Sequence, residues 1–330
     1  MKKRNLLITI LLLLATAVVA DEYTDSLTGV VYTHEKGSGV AKVKDGVYHA
    51  WDARTRGTIP LAEDIVILDS FIVDDCRYAV KEIGNYAFYY KDIISVKIPS
   101  TVTAIGDYVF RGSSKLQTVN LPESLEAIGI FSFSDCNKLT SVVWPSQMTT
   151  IPKGTFMTCR RLREVILPEN LTEIGDMSFT CCSSLREIVI PGQVTRIGMG
   201  AFSDCDSLSK VIIPSRITSI GSYAFNRAPR LTIVISQREE PFDIDVNVFG
   251  DETNENATLY VPVGSKAKYE TAAGWSRFKT IVEGSPTAIY IPSATQQNMK
   301  GSIYDLYGRK ISGQPQKGLY IQDGKKRVCH

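Results

Sequence analysis

The residues best suited to covalent or metal chemistry are seven cysteines and three histidines in a chain of 330 residues. Cys136, Cys159, Cys182 and Cys205 recur every 23 residues, and Cys181 stands beside the third of them. A thiolate nucleophile needs a histidine base within hydrogen-bond reach. His34, His49 and His330 all lie outside the segment that carries the cysteine series. The same separation leaves Cys181-Cys182 without the nitrogen ligands of a zinc site. Ser113 and Ala228 hold the cysteine place in other copies. A position that accepts Cys, Ser or Ala suits a small, buried side chain at a tight corner. The alternative is a disulfide between adjacent copies, whose backbones lie within bridging range if they stack.

Other candidates are weaker. Gly37-Ser38-Gly39 lacks the rest of a phosphate loop. The polar loop Asp251-Glu-Thr-Asn-Glu-Asn256 has oxygen donors for Ca²⁺ but not the alternating aspartates and glycine of an EF-hand. Asn170-Leu-Thr172 and Asn256-Ala-Thr258 fit a glycosylation sequon and read as plain turns. Carboxylates are scattered as on a solvated face. No catalytic residue, metal or cofactor is expected, and the chain does not read as an enzyme.

The element that positions all of this is a phrase repeated seven times over 80–236. Its plainest copy is Leu171-Thr-Glu-Ile-Gly-Asp-Met-Ser-Phe-Thr-Cys-Cys-Ser-Ser-Leu-Arg-Glu-Ile-Val-Ile-Pro191. An isoleucine recurs at Ile83, Ile105, Ile128, Ile151, Ile174, Ile197 and Ile220, in one step of 22 and five of 23. A phenylalanine follows each by five residues, from Phe88 to Phe225. A strict period of this length is the mark of a solenoid. One copy cannot bury its own apolar residues, so copies must stack with like positions over like. Leu185–Pro191 reads as a short strand, with Ile188 and Ile190 on one face and Glu187 and Val189 on the other. Proline has no N–H to give and ends it. Seven rungs at about 4.8 Å make a stack on the order of 30 Å long.

This phrase resembles the repeat of the BspA-like leucine-rich repeat proteins, of the form L-T-x-I-G-x-x-A-F-x-x-C-x-x-L-x-x-V-x-I-P. The resemblance runs through all seven copies, and period, Phe, Cys and Ile-Pro agree together. It implies a leucine-rich repeat solenoid of short β-strands, with a β-rich cap before it and a mixed cap after it. It also implies a surface protein that adheres to a protein or glycan partner, such as host matrix or another bacterial surface. The alternative is a structural spacer that self-associates without a specific ligand.

The flanks fit this layout. Residues 1–20 read as a secretory signal, with Lys2, Lys3 and Arg4, the apolar run Leu6–Leu14 and a small-residue cleavage site ending at Ala20. The mature chain is expected to start near Asp21, secreted or held at the cell surface. Residues 21–79 read as the N-terminal β cap, with strands at Gly29–Tyr32, Gly39–Val43 and Asp64–Leu68. Residues 237–284 read as the C-terminal cap. There Lys266–Ala273 is the one expected helix, and Trp275 and Phe278 are cap core. Residues 285–330 read as a linker and a small β tail, similar to the C-terminal sorting domains of exported bacterial proteins.

Charge adds two exclusions. Without the leader's three basic residues, Lys plus Arg stands at 34 against 35 Asp plus Glu. No basic stripe marks the repeats, so nucleic acid is not an expected partner. No stretch beyond the leader reaches the ~18 apolar residues of a membrane span.

A binding surface is expected where strand side chains point away from the core. One outward column reads Ser95, Thr118, Ser141, Glu164, Glu187, Lys210, Ile233, and the next reads Lys97, Asn120, Val143, Ile166, Val189, Ile212, Ile235. The second is apolar from the third copy onward. Two readings stand: β-branched residues suit any open sheet surface, or contiguous apolar exposure marks a contact site. The candidate site is therefore Ser141, Val143, Glu164, Ile166, Glu187, Val189, Lys210, Ile212 and Ile235, with Arg163 and Arg186 as a polar rim.

Overall fold

A computed structural model describes residues 21–27, 29–45, 63–284, 303–304, 318–322 and 325–329. The proposed signal, residues 1–20, and the linker that follows Gly284 lie outside the described residues. The chain divides into two compact units, Met1–Gly284 and Ser285–His330. The first is a β-solenoid of about nine turns.

Strands are numbered in chain order. The N-terminal strands are β1 (Asp21–Thr24), β2 (Val31–His34), β3 (Val40–Val43), β4 (Asp64–Val66), β5 (Ser70–Val73) and β6 (Cys76–Ile83). Beyond them, the turns of the solenoid carry short parallel strands on two faces, and the strands of each face fall into separate sheets. The front ladder is built from the Val-x-Ile phrase: β7 (Ser95–Lys97), β9 (Thr118–Asn120), β11 (Ser141–Val143), β13 (Glu164–Ile166), β16 (Lys210–Ile213) and β18 (Ile233–Ser236). The back ladder is built from the Thr-x-Ile phrase: β8 (Ala104–Ile105), β10 (Ala127–Ile128), β12 (Thr150–Ile151), β14 (Glu173–Ile174), β15 (Arg196–Ile197) and β17 (Ser219–Ile220).

The inside of each turn is filled by columns. Phe88, Phe110, Phe133, Phe156, Phe179, Phe202 and Phe225 are all buried and stack face to face, with centroids 5.2 to 5.7 Å apart. Such offset pairs are favourable beyond the area they bury. The leucines from Leu116 to Leu231 form a second buried column.

Two turns in each rung require a left-handed backbone. The first holds Tyr86, Tyr108, Phe131, Gly154, Met177, Gly200 and Tyr223, and Gly154 has φ +64°. A Cβ on Gly154 would lie 2.1 Å from the Phe131 ring, so glycine is needed there for space as well as conformation.

The stack runs on past Ser236, where the repeated phrase is lost. β19 (Thr258–Val261) and β20 (Thr280–Glu283) add to β18 in parallel register. Phe249 takes the next place on the phenylalanine column, 5.3 Å from Phe225. Leu259 and Ile281 continue the buried strand column. Trp275 and Phe278 are buried against Phe249 and close the column. Position in the stack is kept by what each side chain covers, not by the phrase.

Three local expectations are corrected. Leu185–Pro191 is not a strand: only Glu187 makes a single parallel bridge, to Lys210. Core burial still enforces its alternation, with Ile188 and Ile190 inside and Val189 outside. The polar loop 251–256 is a short helix, α1 (Asp251–Asn256), which buries Thr253 and Asn254 and pairs Asp251 with Arg277 at 2.6 Å. The helix α2 (Lys266–Thr271) is therefore not alone.

The cap at the N-terminal end is aromatic. Tyr23, Tyr32, His34, Phe71 and Tyr78 pack as one cluster. The Tyr32 hydroxyl accepts a hydrogen bond from Leu68 N–H at 3.0 Å, and burial pushes its pKa up to about 12. In the second unit, β21 (Ile303–Tyr304), β22 (Gly318–Gln322) and β23 (Lys325–Cys329) form an antiparallel sheet.

Candidate functional site

The cysteine series is where the chain's nucleophiles sit, and its geometry is structural. Cys136, Cys159, Cys182 and Cys205 are fully buried and free. Each Sγ–H donates to the carbonyl of a phenylalanine in the preceding rung: Phe110, Phe133, Phe156 and Phe179, at 3.1 to 3.3 Å. Ser113 donates to Phe88 in the same way at 2.7 Å. The position thus takes a small side chain, and where that is Cys or Ser it also donates to the preceding rung; Ala228 fills it by volume alone. Burial pushes all four thiols upward, away from the thiolate a nucleophile needs. The cap's His34 packs against Phe71 and Tyr78 instead. Among the described residues, no group of three His, Cys, Asp or Glu side chains could hold a metal ion. No described helix is long and apolar enough to cross a membrane.

The candidate binding residues lie in the outward columns of the front strands. Register sets Ser141 beside Glu164 and Val143 beside Ile166. It also sets Lys210 beside Ile233 and Ile212 beside Ile235. Between these pairs, Glu187 is exposed and bridges to Lys210, and Val189 is 65% exposed. Val143, Ile166 and Ile212 are half-buried. Arg163 and Arg186 are exposed at the rim.

Glu164 is partly enclosed. One carboxylate oxygen is buried without a hydrogen-bond partner, and desolvation raises its pKa. A carboxylate held this way gains from any donor a ligand brings.

Ile235 departs from expectation, being only 3% exposed. Register explains it: the strand lies between Ile212 on one side and Tyr260 on the other. That same register reveals two members that sequence reading missed. Tyr260 and Val282 carry the apolar column two strands further. The signal available for Tyr260 was Pro262, which ends Leu259-Tyr-Val-Pro as prolines end the earlier strands. For Val282 no such mark exists.

A second surface was not anticipated. Tyr86, Tyr108 and Phe131 occupy the left-handed turn of successive rungs and stack at 5.1 and 5.4 Å. The Arg111 guanidinium lies 5.6 Å from the Tyr108 and Phe131 rings. Tyr108 lies between the Tyr86 and Phe131 rings, and the Phe131 ring also lies against Gly154.

A parallel β-solenoid with a phenylalanine spine and an open strand face is a repeat-protein scaffold. A model of the BspA type leucine rich repeat region matches residues 81–205 and 173–260, in six copies. The matched residues are more than half of the chain, which belongs to this family. Among solved structures, a leucine rich cell surface protein from Faecalibacterium prausnitzii A2-165 is similar at 18% identity, covering 81% of this chain and 96% of that one, with a TM-score of 0.45. The leucine rich repeat protein of T. pallidum is similar at 24% identity, covering 65% and 89%, with a TM-score of 0.48. A leucine-rich repeat protein from Bacteroides ovatus shares 21% identity, covering 79% and 77%, with a TM-score of 0.45. No curated protein matches the sequence.

Proposed function

We propose that this is an exported surface protein whose front strand face binds a protein or glycan partner. The observation that carries the reading is the apolar column Val143, Ile166, Val189, Ile212, Tyr260 and Val282 on one face, with Ile235 buried within it and Val189 in a rung that alternates without forming a strand. An aliphatic side chain as exposed as Val189, inside a continuous row, suits a contact site better than a solvated face. The row is flanked by Glu164, Glu187 and Lys210, which supply polar contacts around an apolar centre, the usual layout of an interface. The deep, enclosed pocket of a small-molecule enzyme is not needed for such a role.

Secretion through residues 1–20 and display at the surface belong to the same proposal. The experiment is a double substitution, Ile166→Thr with Val189→Thr, which keeps the β-branch and removes apolar area. A partner recovered by pull-down from host matrix or bacterial surface extracts should bind the double variant at least about tenfold more weakly. Unchanged affinity would mean that the column is not the site.

A further inference from the structure

We propose that the two ends of the front face fit one another, so that a second copy of this chain docks head to tail, β4 of one copy against β20 of the next. This rests on the sheet edges; it shares Val282 with the strand-face column but does not require that column to bind a partner.

The front face begins at β4, the edge of the sheet β4-β7-β9, and ends at β20, the edge of the sheet β16-β18-β19-β20. No described strand pairs with the other edge of either. β4 pairs in parallel with β7 and β20 in parallel with β19, so β4 of a second copy can meet β20 in the same parallel sense that joins the strands within each front sheet.

The hydrogen-bonding phase of the two edges also agrees. In a parallel ladder, alternate residues turn their N–H and C=O to opposite neighbours. On β4, Ser95 N–H donates to Glu63 O, and Ile67 N–H donates to Lys97 O. Glu63, Ile65 and Ile67 therefore face β7, and Asp64 and Val66 face the open side. On β20, Gly284 N–H donates to Val261 O. Thr280 and Val282 therefore face β19, and Ile281 and Glu283 face the open side. A parallel pair needs this alternation when Asp64 lies opposite Thr280 and Val66 opposite Val282.

That one register also matches the side chains. It sets Ile65 against Ile281, 1% and 8% exposed, continuing the buried column. It sets Val66 against Val282, 50% and 39% exposed, so each covers the other. One residue earlier it sets Glu63, exposed, against Lys279, whose present partner is the exposed Glu255 at 3.2 Å. A groove of about 400 Å³ opens at β20, lined among others by Lys266, Phe278, Lys279, Ile281 and Val282. Exposed parallel edges of this kind are templates for strand addition. Two different edges make the contact heterologous, so it does not close on itself and adds further copies.

Val66→Lys and Val282→Lys each place a charge on one edge and leave the other edge intact. Sedimentation velocity of the purified full chain should show mass rising with concentration. Each variant alone should stay monomeric at concentrations where the unchanged chain associates, its association weakened by about tenfold or more. Mixed together, the two should form a species of two chains and stop there, through the intact β20 of Val66→Lys and the intact β4 of Val282→Lys. That mixture also reports that both variants are folded. The proposal is overturned if the unchanged chain stays monomeric throughout, if either variant still associates at those concentrations, or if the mixture gives no two-chain species.

Discussion

Each phenylalanine of the spine after Phe88 touches the ring before it and the ring after it, so its loss is felt in two rungs. Phe179→Ala should cost about 3–5 kcal/mol in urea unfolding, the range for a fully buried aromatic. A loss well under 1 kcal/mol would mean that the spine is not core. The cysteines give a pH-dependent expectation. Unfolded thiols ionise near pH 8.5, whereas burial pushes those of Cys136, Cys159, Cys182 and Cys205 upward. Above about pH 8.5 the unfolded chain holds fewer protons than the folded one, so stability is intact below that pH and falls as pH rises. The fall is at most about 1.4 kcal/mol per thiol per pH unit. Cys159→Ser keeps a donor for Phe133 and should make the fall shallower between about pH 8 and about pH 10; an unchanged slope would remove the thiol as its cause. The smallness and burial of this position were legible from Ser113 and Ala228. Its hydrogen bond was not, because the partner carbonyl lies 26 residues away and is brought close only by stacking.

The turns and strands show where local sequence rules hold and where packing overrides them. The left-handed turn position accepts Tyr, Phe and Met, yet Gly154 is pinned by the Phe131 ring above it. Gly154→Ala should therefore destabilise by about 1–3 kcal/mol, measured against the unchanged chain in the same denaturant. Loss of less than a few tenths of a kcal/mol would show that the ring moves aside freely. The short strands were readable from the alternation of Val, Ile and Pro. Their hydrogen-bond ladder was less so, since strands of two to four residues depend on very few bonds, and the rung at Glu187 keeps its alternation without a ladder. Helix α1 was unreadable for the opposite reason. Its six residues are all polar except for the threonine methyl, and it is held by Arg277 and by burial of Thr253 and Asn254. The double substitution of Ile166 and Val189 belongs to this scale too: it leaves strand propensity in place, so folding should change by less than about 1 kcal/mol.

Across the whole molecule, the period announced a stack and the structure extends it. The phrase ends near Ser236, while parallel rungs run to β20 and the aromatic spine to Trp275 and Phe278. The final rungs keep the buried positions and drop the turn residues that made the phrase visible, so their place in the stack was less legible in the sequence. The outward column was legible up to Ile235, and Ile235 itself was misjudged because Tyr260 beyond it was not seen as a neighbour. The proposed leader makes its own prediction: if the protein is exported, amino-terminal sequencing should begin near Asp21, and a start elsewhere would contradict the cleavage reading. The central claim is that the front strand face, and no other part of the solenoid, meets the partner. The direct measurement compares the partner's affinity for the Ile166→Thr, Val189→Thr double variant with its affinity for Thr172→Val, Thr195→Val, which alters exposed residues beside the back ladder. Affinity falling at least about tenfold in the first and holding in the second is the expected result. Equal loss in both, or loss only in the second, would contradict it.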